Sequence, residues 1–387
     1  MKKQYKIVLL IFLLGSLGLL FYSTWYQWND IQSKEKQKTA KQTIKHHLPI
    51  AEFKLESMAR ALAISPIEPY YVVSAGDSNE IMVWDREIPE KPIKVLTGHP
   101  IDENETFYGI QSVFFDSSGE LLISKSSWFV AFWDVSTWEL ISSHKIPSTV
   151  SSVSPNDNLL ATGSLDIEIW DFTNTKDINK IYTLDNDRKH YIYEFPKFSY
   201  NGRWFAMSIQ TPPSTPTTND KKVRIWDLNT QQIHKTIGKL FTDNKSIESN
   251  VNEPLMSESN QGIKYSNQTK RNEGDIRGIS FSPDNRFFAI GEQDGFTIWS
   301  LPHWRIYNKV DNVYIIDFAF SPNGKVFAIA SLGGIMIWSI DEMKPIAKLS
   351  GNGSNLYWRI VFSRDGNTLV GSGYDKNIDL WDMEGIE

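Results

Sequence analysis

IDLWD, at residues 378–382, is the last of seven short runs in which apolar residues alternate and which end in tryptophan. Apolar residues at every second position are typical of a β-strand with one buried face. Because the same strand recurs, the unit that contains it recurs as well, and the chain is predicted to be an internal repeat. The other six runs are IMVWD (81–85), VAFWD (130–134), IEIWD (167–171), VRIWD (223–227), FTIWS (296–300) and IMIWS (335–339).

Each tryptophan strand belongs to a longer pattern. An apolar strand first runs into a turn of Ser, Pro, Asp or Asn, as in GISFSPDN (278–285), and a stretch rich in small apolar residues follows, as in FFAIGE (287–292). After the tryptophan strand, another turn leads to a fourth strand, as in KPIAKLSGN (344–352). The sequence therefore predicts four antiparallel strands in each of seven units.

This pattern resembles the WD40-repeat (WD-repeat) β-propeller family over roughly residues 50–387. Five Trp-Asp endings, a Gly98-His99 pair and the Ser-Pro-Asp or Ser-Pro-Asn turns carry the resemblance. It implies an all-β, seven-bladed β-propeller that binds proteins as a scaffold without catalysis. The hydrogen-bonded tetrad of the family is incomplete in this chain, so the blades are expected to be stabilised mainly by apolar packing against each other. Partial sets are His99, Ser124 and Trp133 in the second blade, and Thr162, Asp166 and Trp170 in the third.

The two ends of the repeat predict how the ring closes. Only MEGIE (383–387) follows the seventh tryptophan strand, so the last blade has no fourth strand of its own. Ahead of the first blade, PIAEFKLES (49–57) alternates apolar residues like a strand. Because an open ring would leave an unpaired strand edge, residues 50–57 are predicted to form the outer strand of the last blade.

The spacing of the tryptophans locates two insertions within a propeller domain that spans 49–387. Successive gaps are 49, 37, 56, 73, 39 and 43 residues, against roughly 40–45 for one blade. The gap of 56 contains the Pro/Thr-rich residues 211–222, and the gap of 73 contains residues 238–274, which are poor in apolar side chains. Both are predicted to be mobile loops, and the second is either plain disorder or a partner-binding element.

Residues 1–28 are predicted to anchor the chain in a membrane. The run IVLLIFLLGSLGLLFY (7–22) carries no charge, follows three lysines, and passes into tyrosines and tryptophans typical of a membrane interface. A cleaved signal peptide and a buried helix are the alternatives. The lysines before the run favour a single-pass anchor with an extracytoplasmic propeller, although four more lysines follow within 34–41. Residues 29–48 are interpreted as a polar spacer.

Composition restricts the chemistry. Without cysteine, the chain has no disulfide, no thiolate catalysis and no sulfur-ligated zinc, and a net charge of −6 argues against nucleic-acid binding. The seven histidines lack metal-ligand spacing, and the sequence contains no GxSxG, phosphate loop or HExxH. No catalytic residue, metal or cofactor is therefore predicted. The alternatives to a scaffold are an envelope enzyme or ligand sensor that uses the central funnel, and a purely structural spacer.

The entries to the innermost strands supply the candidate binding residues. Arg, Tyr and Trp dominate interface hot spots, so Arg277, Tyr314, Tyr357 and Trp358, from adjacent blades 5–7, are predicted to form a partner-binding patch. The alternative is that these aromatic side chains simply pack between blades.

The full set of entry positions comes from aligning the innermost strands on their last apolar residue. Four residues earlier the chain reads Arg60, Gln111, Thr149, Glu194, Arg277, Ile316 and Trp358, with Tyr108, Tyr191, Tyr193, Tyr314 and Tyr357 nearby. Arg60 and Glu194 extend the candidate patch around the rim. Trp138 and Trp304 are predicted to form a second site on the opposite face.

Overall fold

A computed structural model describes residues 44–102, 109–148, 150–164, 166–186, 191–210, 221–238, 276–353 and 355–386, with only the backbone of 191–195. The chain divides into two compact units, Met1–Lys45 and His46–Glu387. The predicted anchor, residues 1–28, lies outside the described residues. Within the described ranges, no helix is long and apolar enough to cross a membrane.

The second unit is a seven-bladed β-propeller, as the repeat predicts. Each blade is an antiparallel sheet whose strands run in sequence order from the centre of the ring outward, except that the outermost strand of blades 6 and 7 comes from the segment before blade 1. Blade 1 contains β3 (Ala59–Ile64), β4 (Val72–Gly76), β5 (Ile81–Trp84) and β6 (Lys94–Leu96), and blade 2 contains β7 (Ser112–Phe115), β8 (Leu121–Lys125), β9 (Phe129–Asp134) and β10 (Glu139–Lys145). Blade 3 contains β11 (Val150–Val153), β12 (Leu159–Gly163), β13 (Ile167–Asp171) and β14 (Asn179–Leu184), and blade 4 contains β15 (Tyr191–Phe198), β16 (Trp204–Gln210), β17 (Lys221–Asp227) and β18 (Gln232–Ile237).

The remaining three blades follow the same order. Blade 5 contains β19 (Ile276–Phe281), β20 (Phe287–Glu292), β21 (Gly295–Ser300) and β22 (Arg305–Asp311), and blade 6 contains β23 (Asp317–Phe320), β24 (Val326–Ser331), β25 (Gly334–Ser339) and β26 (Lys344–Leu349). Blade 7 contains β27 (Tyr357–Phe362), β28 (Thr368–Gly373) and β29 (Asn377–Asp382). The innermost strands contact each other in a closed ring, with β27 of blade 7 against β3 of blade 1. They therefore surround a central channel.

The closing strand is confirmed. Strand β2 (Ala51–Lys54) pairs with β29 in the register Ala51↔Leu380 to Lys54↔Asn377 and completes blade 7. Phe53 is fully buried, and its ring stacks on that of Trp84 in blade 1 at 5.0 Å between centroids. The segment before blade 1 thus joins the two ends of the ring through backbone pairing and one aromatic stack.

A further strand precedes it. Strand β1 (Lys45–His47) adds to β26 as a fifth, outermost strand of blade 6, and Ser350 N donates to His47 O at 3.1 Å. The interpretation of 29–48 as a spacer is therefore wrong for residues 45–47. An edge strand needs only free backbone groups on its neighbour, so this pairing leaves no apolar signature in the sequence.

The predicted insertions lie mostly outside the described residues. Residues 211–220 and 239–275 are not described, whereas Lys221 and Lys222 are the first residues of β17 and pair with Gln210 and Ile209. The predicted loop 211–222 therefore ends two residues early, because the hairpin strands of blade 4 are seven residues long.

Apolar packing between successive blades forms the core, and the tryptophans contribute to it unequally. In blades 1 to 3, the indole Nε1 donates to a hydroxyl two residues beyond its cross-strand partner: Trp84 to Ser74, Trp133 to Ser124 and Trp170 to Thr162, at 2.8–2.9 Å. In blades 5 to 7 that position holds Ile290, Ile329 and Gly371, and the Nε1 atoms of Trp299, Trp338 and Trp381 are buried without a hydrogen bond. The tryptophans of those three blades therefore contribute through packing without this hydrogen bond, and each leaves one donor unsatisfied.

Candidate functional site

The entry positions predicted from the sequence are structurally equivalent. In each blade, the last apolar residue of the innermost strand pairs with a residue of the second strand, and that residue in turn pairs with the tryptophan of the third strand. Examples are Ile64–Val72–Trp84 and Phe362–Leu369–Trp381. Counting four residues back therefore reaches the same end of the ring in every blade.

Three of these entry residues occupy β-bulges. The register of the innermost strand skips one residue at Arg60, at Arg277 and at Trp358. A bulge leaves one residue out of the regular pairing and changes the direction of its side chain. Of the three, Arg60 and Trp358 are exposed and Arg277 is half-buried.

Four of the described entry side chains contact the turn between the second and third strands of their own blade. Arg60 Nε pairs with Asp77 Oδ1 at 2.5 Å, Gln111 Nε2 donates to Ser127 Oγ at 2.9 Å, and Arg277 donates to Gln293 Oε1 at 3.4 Å. In blade 7 the same contact is aromatic, since the rings of Trp358 and Tyr374 lie 5.9 Å apart. In blades 1, 2, 5 and 7 the rim therefore carries a side-chain pair whose members are separated by 16 or 17 residues.

One part of this rim is apolar and exposed. Trp358 is 41% exposed, Tyr374 53% and Leu332 43%. Leu332 forms an isolated β-bridge with Leu356, whose carbonyl accepts a hydrogen bond from Tyr374 N at 2.8 Å. These contacts hold Leu332, Leu356, Trp358 and Tyr374 together across blades 6 and 7, and we call the four residues the 6–7 patch.

The other predicted residues are placed differently. Tyr357 is only 2% exposed; its hydroxyl donates to Asp379 Oδ2 at 2.5 Å and its ring packs edge-on against Trp381. Burial and the neighbouring carboxylates raise the pKa of Tyr357. The Tyr357 side chain therefore belongs to the packed interior, in agreement with the alternative that these aromatic side chains pack between blades. Tyr314 is half-buried and lies just before β23. The side chains of Glu194, Tyr191 and Tyr193 and all of Thr149 and Tyr108 lie outside the description.

The opposite face offers less than predicted. Trp304 is 5% exposed and packs edge-on against Trp204 and Phe288, so it belongs to the core between blades 4 and 5. Trp138 is half-buried and packs edge-on against Tyr71. Trp304 therefore presents no surface to a partner.

The central channel contains charged residues that the sequence argument missed. Lys197 of β15, Asp317 of β23 and Arg359 of β27 lie on innermost strands of blades 4, 6 and 7. Removal from bulk water lowers the pKa of Lys197 and raises that of Asp317, and each charge is influenced by the other two. Since blades 4 and 6 are not neighbours, this influence acts across the channel.

Comparison with known proteins agrees with the geometry. The family model described as WD domain, G-beta repeat, matches residues 137–171 and 343–382. Each match begins just before the outer strand of one blade (β10 or β26) and ends with the tryptophan strand of the next (β13 or β29). The sequence repeat is thus offset by one strand from the structural blade, and β2 supplies the strand that this offset leaves missing.

The chain is a seven-bladed β-propeller with WD40 repeats at these two segments. The fold is commonly a protein-interaction scaffold, and the WD40 family is typically non-catalytic. No curated protein matches the chain. Within the described part of this WD40 propeller, no group of three or more His, Asp or Glu side chains has a geometry that could hold a metal ion.

Proposed function

We propose that this chain is a non-catalytic protein-binding scaffold whose N-terminal segment holds the propeller at a membrane. The observation that carries the binding role is the 6–7 patch. Two exposed aromatic rings lie beside exposed Leu332 and half-buried Leu356 on the rim. This arrangement is favoured by interface hot spots, where aromatic side chains supply contact area at low entropic cost. The backbone contacts within the patch keep it preorganised, which reduces the ordering cost of binding.

Arg277 and Arg60 complete the proposed surface. Blades 5, 6, 7 and 1 are consecutive around the ring, so the bulged side chains of Arg277 and Arg60 flank the 6–7 patch on its two sides. An apolar centre with polar residues around it is the usual organisation of a specific protein interface. Tyr314, half-buried just before β23 of blade 6, is included in the same proposed surface.

Photo-crosslinking in the native membrane tests the binding role. A photoreactive phenylalanine analogue replacing Tyr374 is expected to give a discrete crosslinked product, and Trp358→Ala is expected to weaken binding of that partner at least tenfold. Ile306, 52% exposed on the outer strand β22, is the matched control for both measurements. The same product from position 306, or equal loss of affinity with Ile306→Ala, contradicts the assignment of the binding surface to the rim.

The membrane attachment has a separate support and a separate test. It rests on the uncharged run 7–22 and its flanking lysines and aromatics. Removal of residues 1–28 is expected to release the protein from the membrane fraction, and protease treatment of intact cells is expected to digest the propeller, because an extracytoplasmic orientation is proposed. Retention of the truncated protein on membranes refutes the anchor.

A further inference from the structure

The sequence contains three Asn-Gly pairs, at 201–202, 323–324 and 352–353. Such a pair can lose ammonia without an enzyme, because glycine has no Cβ to keep its backbone nitrogen away from the side-chain carbonyl carbon of the asparagine. The reaction needs a glycine N–H that can be deprotonated and an asparagine side chain that can turn toward it. The surroundings of the three pairs therefore decide which of them reacts.

Two of the pairs are held in the turns that follow innermost strands. In blade 4, Asn201 Oδ1 accepts hydrogen bonds from Ser199 Oγ at 2.7 Å and from Arg203 N at 3.1 Å. Gly202 N donates to Ser199 O at 3.1 Å. In blade 6, the turn 321–325 repeats these three hydrogen bonds at 2.7, 2.9 and 3.0 Å. Both the side-chain carbonyl group and the glycine nitrogen are thus engaged, so these pairs react only when the turn opens.

The third pair is accessible. Asn352 and Gly353 are both exposed, in the loop between β26 of blade 6 and β27 of blade 7. Within the described residues, Gly353 N donates no hydrogen bond, and the Asn352 side chain makes one, from Nδ2 to Glu52 Oε2 at 3.2 Å. That hydrogen bond engages neither the Gly353 nitrogen nor the Asn352 carbonyl group, so the two can approach each other.

We infer that Asn352 is a site of spontaneous deamidation. Hydroxide removes the Gly353 N–H proton, and the nitrogen forms a bond to the Asn352 side-chain carbonyl carbon while the bond from that carbon to Nδ2 breaks. The leaving nitrogen takes a proton from water and departs as ammonia, which leaves a closed succinimide ring. Water then opens the ring to aspartate or isoaspartate. The overall reaction consumes a water molecule and releases ammonia, and no oxidant or cofactor takes part.

The product carries a carboxylate where the closing strand β2 now meets a hydrogen-bond donor. Glu52 loses the hydrogen bond from Asn352 Nδ2 and gains a like charge beside it. Glu52 already lies opposite the buried Asp379 in the pairing of β2 with β29. Because like charges that face each other across strands destabilise the pairing, deamidation is expected to loosen the closing strand. The ring of an aged molecule then opens more readily than that of a newly made one.

Incubation of the purified full-length protein in mildly alkaline buffer tests the site. Peptide mapping by mass spectrometry is expected to show conversion at position 352 at least about tenfold faster than at 201 and 323, since the turns protect those two positions. In water enriched in heavy oxygen, the new carboxyl group should carry the label. Asn352→Gln keeps a side-chain amide but must close a larger ring, so it should react far more slowly. Equal rates at the three positions, or no conversion at 352, refute the site.

Urea unfolding tests the effect on the closing strand. The midpoint for the wild type is expected to fall during incubation, whereas that for Asn352→Gln should not, and Asn352→Asp should show the lower midpoint from the start. Asn323→Asp is the matched control and should unfold like the wild type. The equivalent turns of blades 5 and 7 already hold Asp284 and Asp365, each bonded to the serine two residues earlier. An unchanged midpoint for Asn352→Asp, or an equal fall for Asn323→Asp, refutes the effect on closure.

Discussion

Replacing Asp379 by asparagine is expected to stabilise the propeller at neutral pH. Asp379 is 3% exposed in strand β29 and lies directly opposite Glu52 of the closing strand. Burial raises its pKa to about 6, with repulsion from Glu52 and Asp375 adding to the effect and the hydrogen bond from Tyr357 opposing it. Like charges paired across two strands destabilise the pairing, so the ionised form weakens the closure of the ring.

The magnitude follows from the two protonation states. The difference between the ordinary value of 3.8 and about 6 corresponds to roughly 3 kcal/mol at 1.36 kcal/mol per pH unit. Because the folded state binds this proton more tightly than the unfolded state, the stabilisation is fully present below pH 4 and is lost as the pH rises through 6. Asparagine cannot ionise, so the variant escapes this loss and is expected to exceed the wild type by about 2 kcal/mol at pH 7.5.

Urea unfolding at pH 4.5, 5.5, 6.5 and 7.5 measures the effect. The stability difference between Asp379→Asn and the wild type should grow across this range, and Glu52→Gln should reduce the pH dependence of the wild type, because it removes one of the repelling charges. Glu139→Gln, an exposed substitution on β10, is the control and should follow the wild-type curve. Parallel curves for Asp379→Asn and the wild type at all four pH values would refute the reasoning.

Two further substitutions test closure and blade stability by the same unfolding assay. Phe53→Ala removes the buried ring that stacks on Trp84 and is expected to lower the free energy of unfolding by about 3 kcal/mol. Ile50→Ala, in an exposed position of the same segment, should lower it by less than about 0.5 kcal/mol. Equal losses would show that the stack does not hold the closing strand. Ser124→Ala leaves Trp133 Nε1 without its acceptor and should lower the free energy of unfolding by about 1–2 kcal/mol. Ser372→Ala removes a buried hydroxyl that makes no hydrogen bond and should leave the stability unchanged or raise it. A destabilised Ser372→Ala variant would contradict this account.

The sequence predicts the ring well, because its signals are local and repeated. Alternation, turn residues and the tryptophan each fix one strand, and the missing fourth strand of blade 7 identifies β2. Strand β1 is not predictable in this way, since it is held by backbone pairing at an edge and needs no particular side chain. Its presence depends on the exposed edge of β26 in blade 6.

The candidate site is only partly predictable, for two physical reasons. Tyr357 and Trp358 are adjacent aromatics on one strand, so their side chains point to opposite faces. The residue types do not indicate that the first is buried and the second exposed, nor that a bulge lies at Trp358. Leu332, Leu356 and Tyr374 come from loops, and the recurring separation of 16 residues becomes visible only once the contacts are known. The channel charges belong to blades 4, 6 and 7 and meet only in three dimensions.

The segment of residues 45–54 has a consequence for cooperativity. Through β1 and β2 it clasps the outer edges of blades 6 and 7, the two blades whose inner ends carry the 6–7 patch and whose tryptophans have unsatisfied indole groups. Local opening of a native protein begins where stabilising contacts are fewest. We therefore expect hydrogen exchange to be fastest at this clasp, and a ligand that bridges blades 6 and 7 at the rim to slow it, because binding to the closed ring draws the open population back by mass action. The slower hydrogen exchange of residues 45–54, at the outer edge of the propeller, would then report that a ligand is bound at the rim of the central channel.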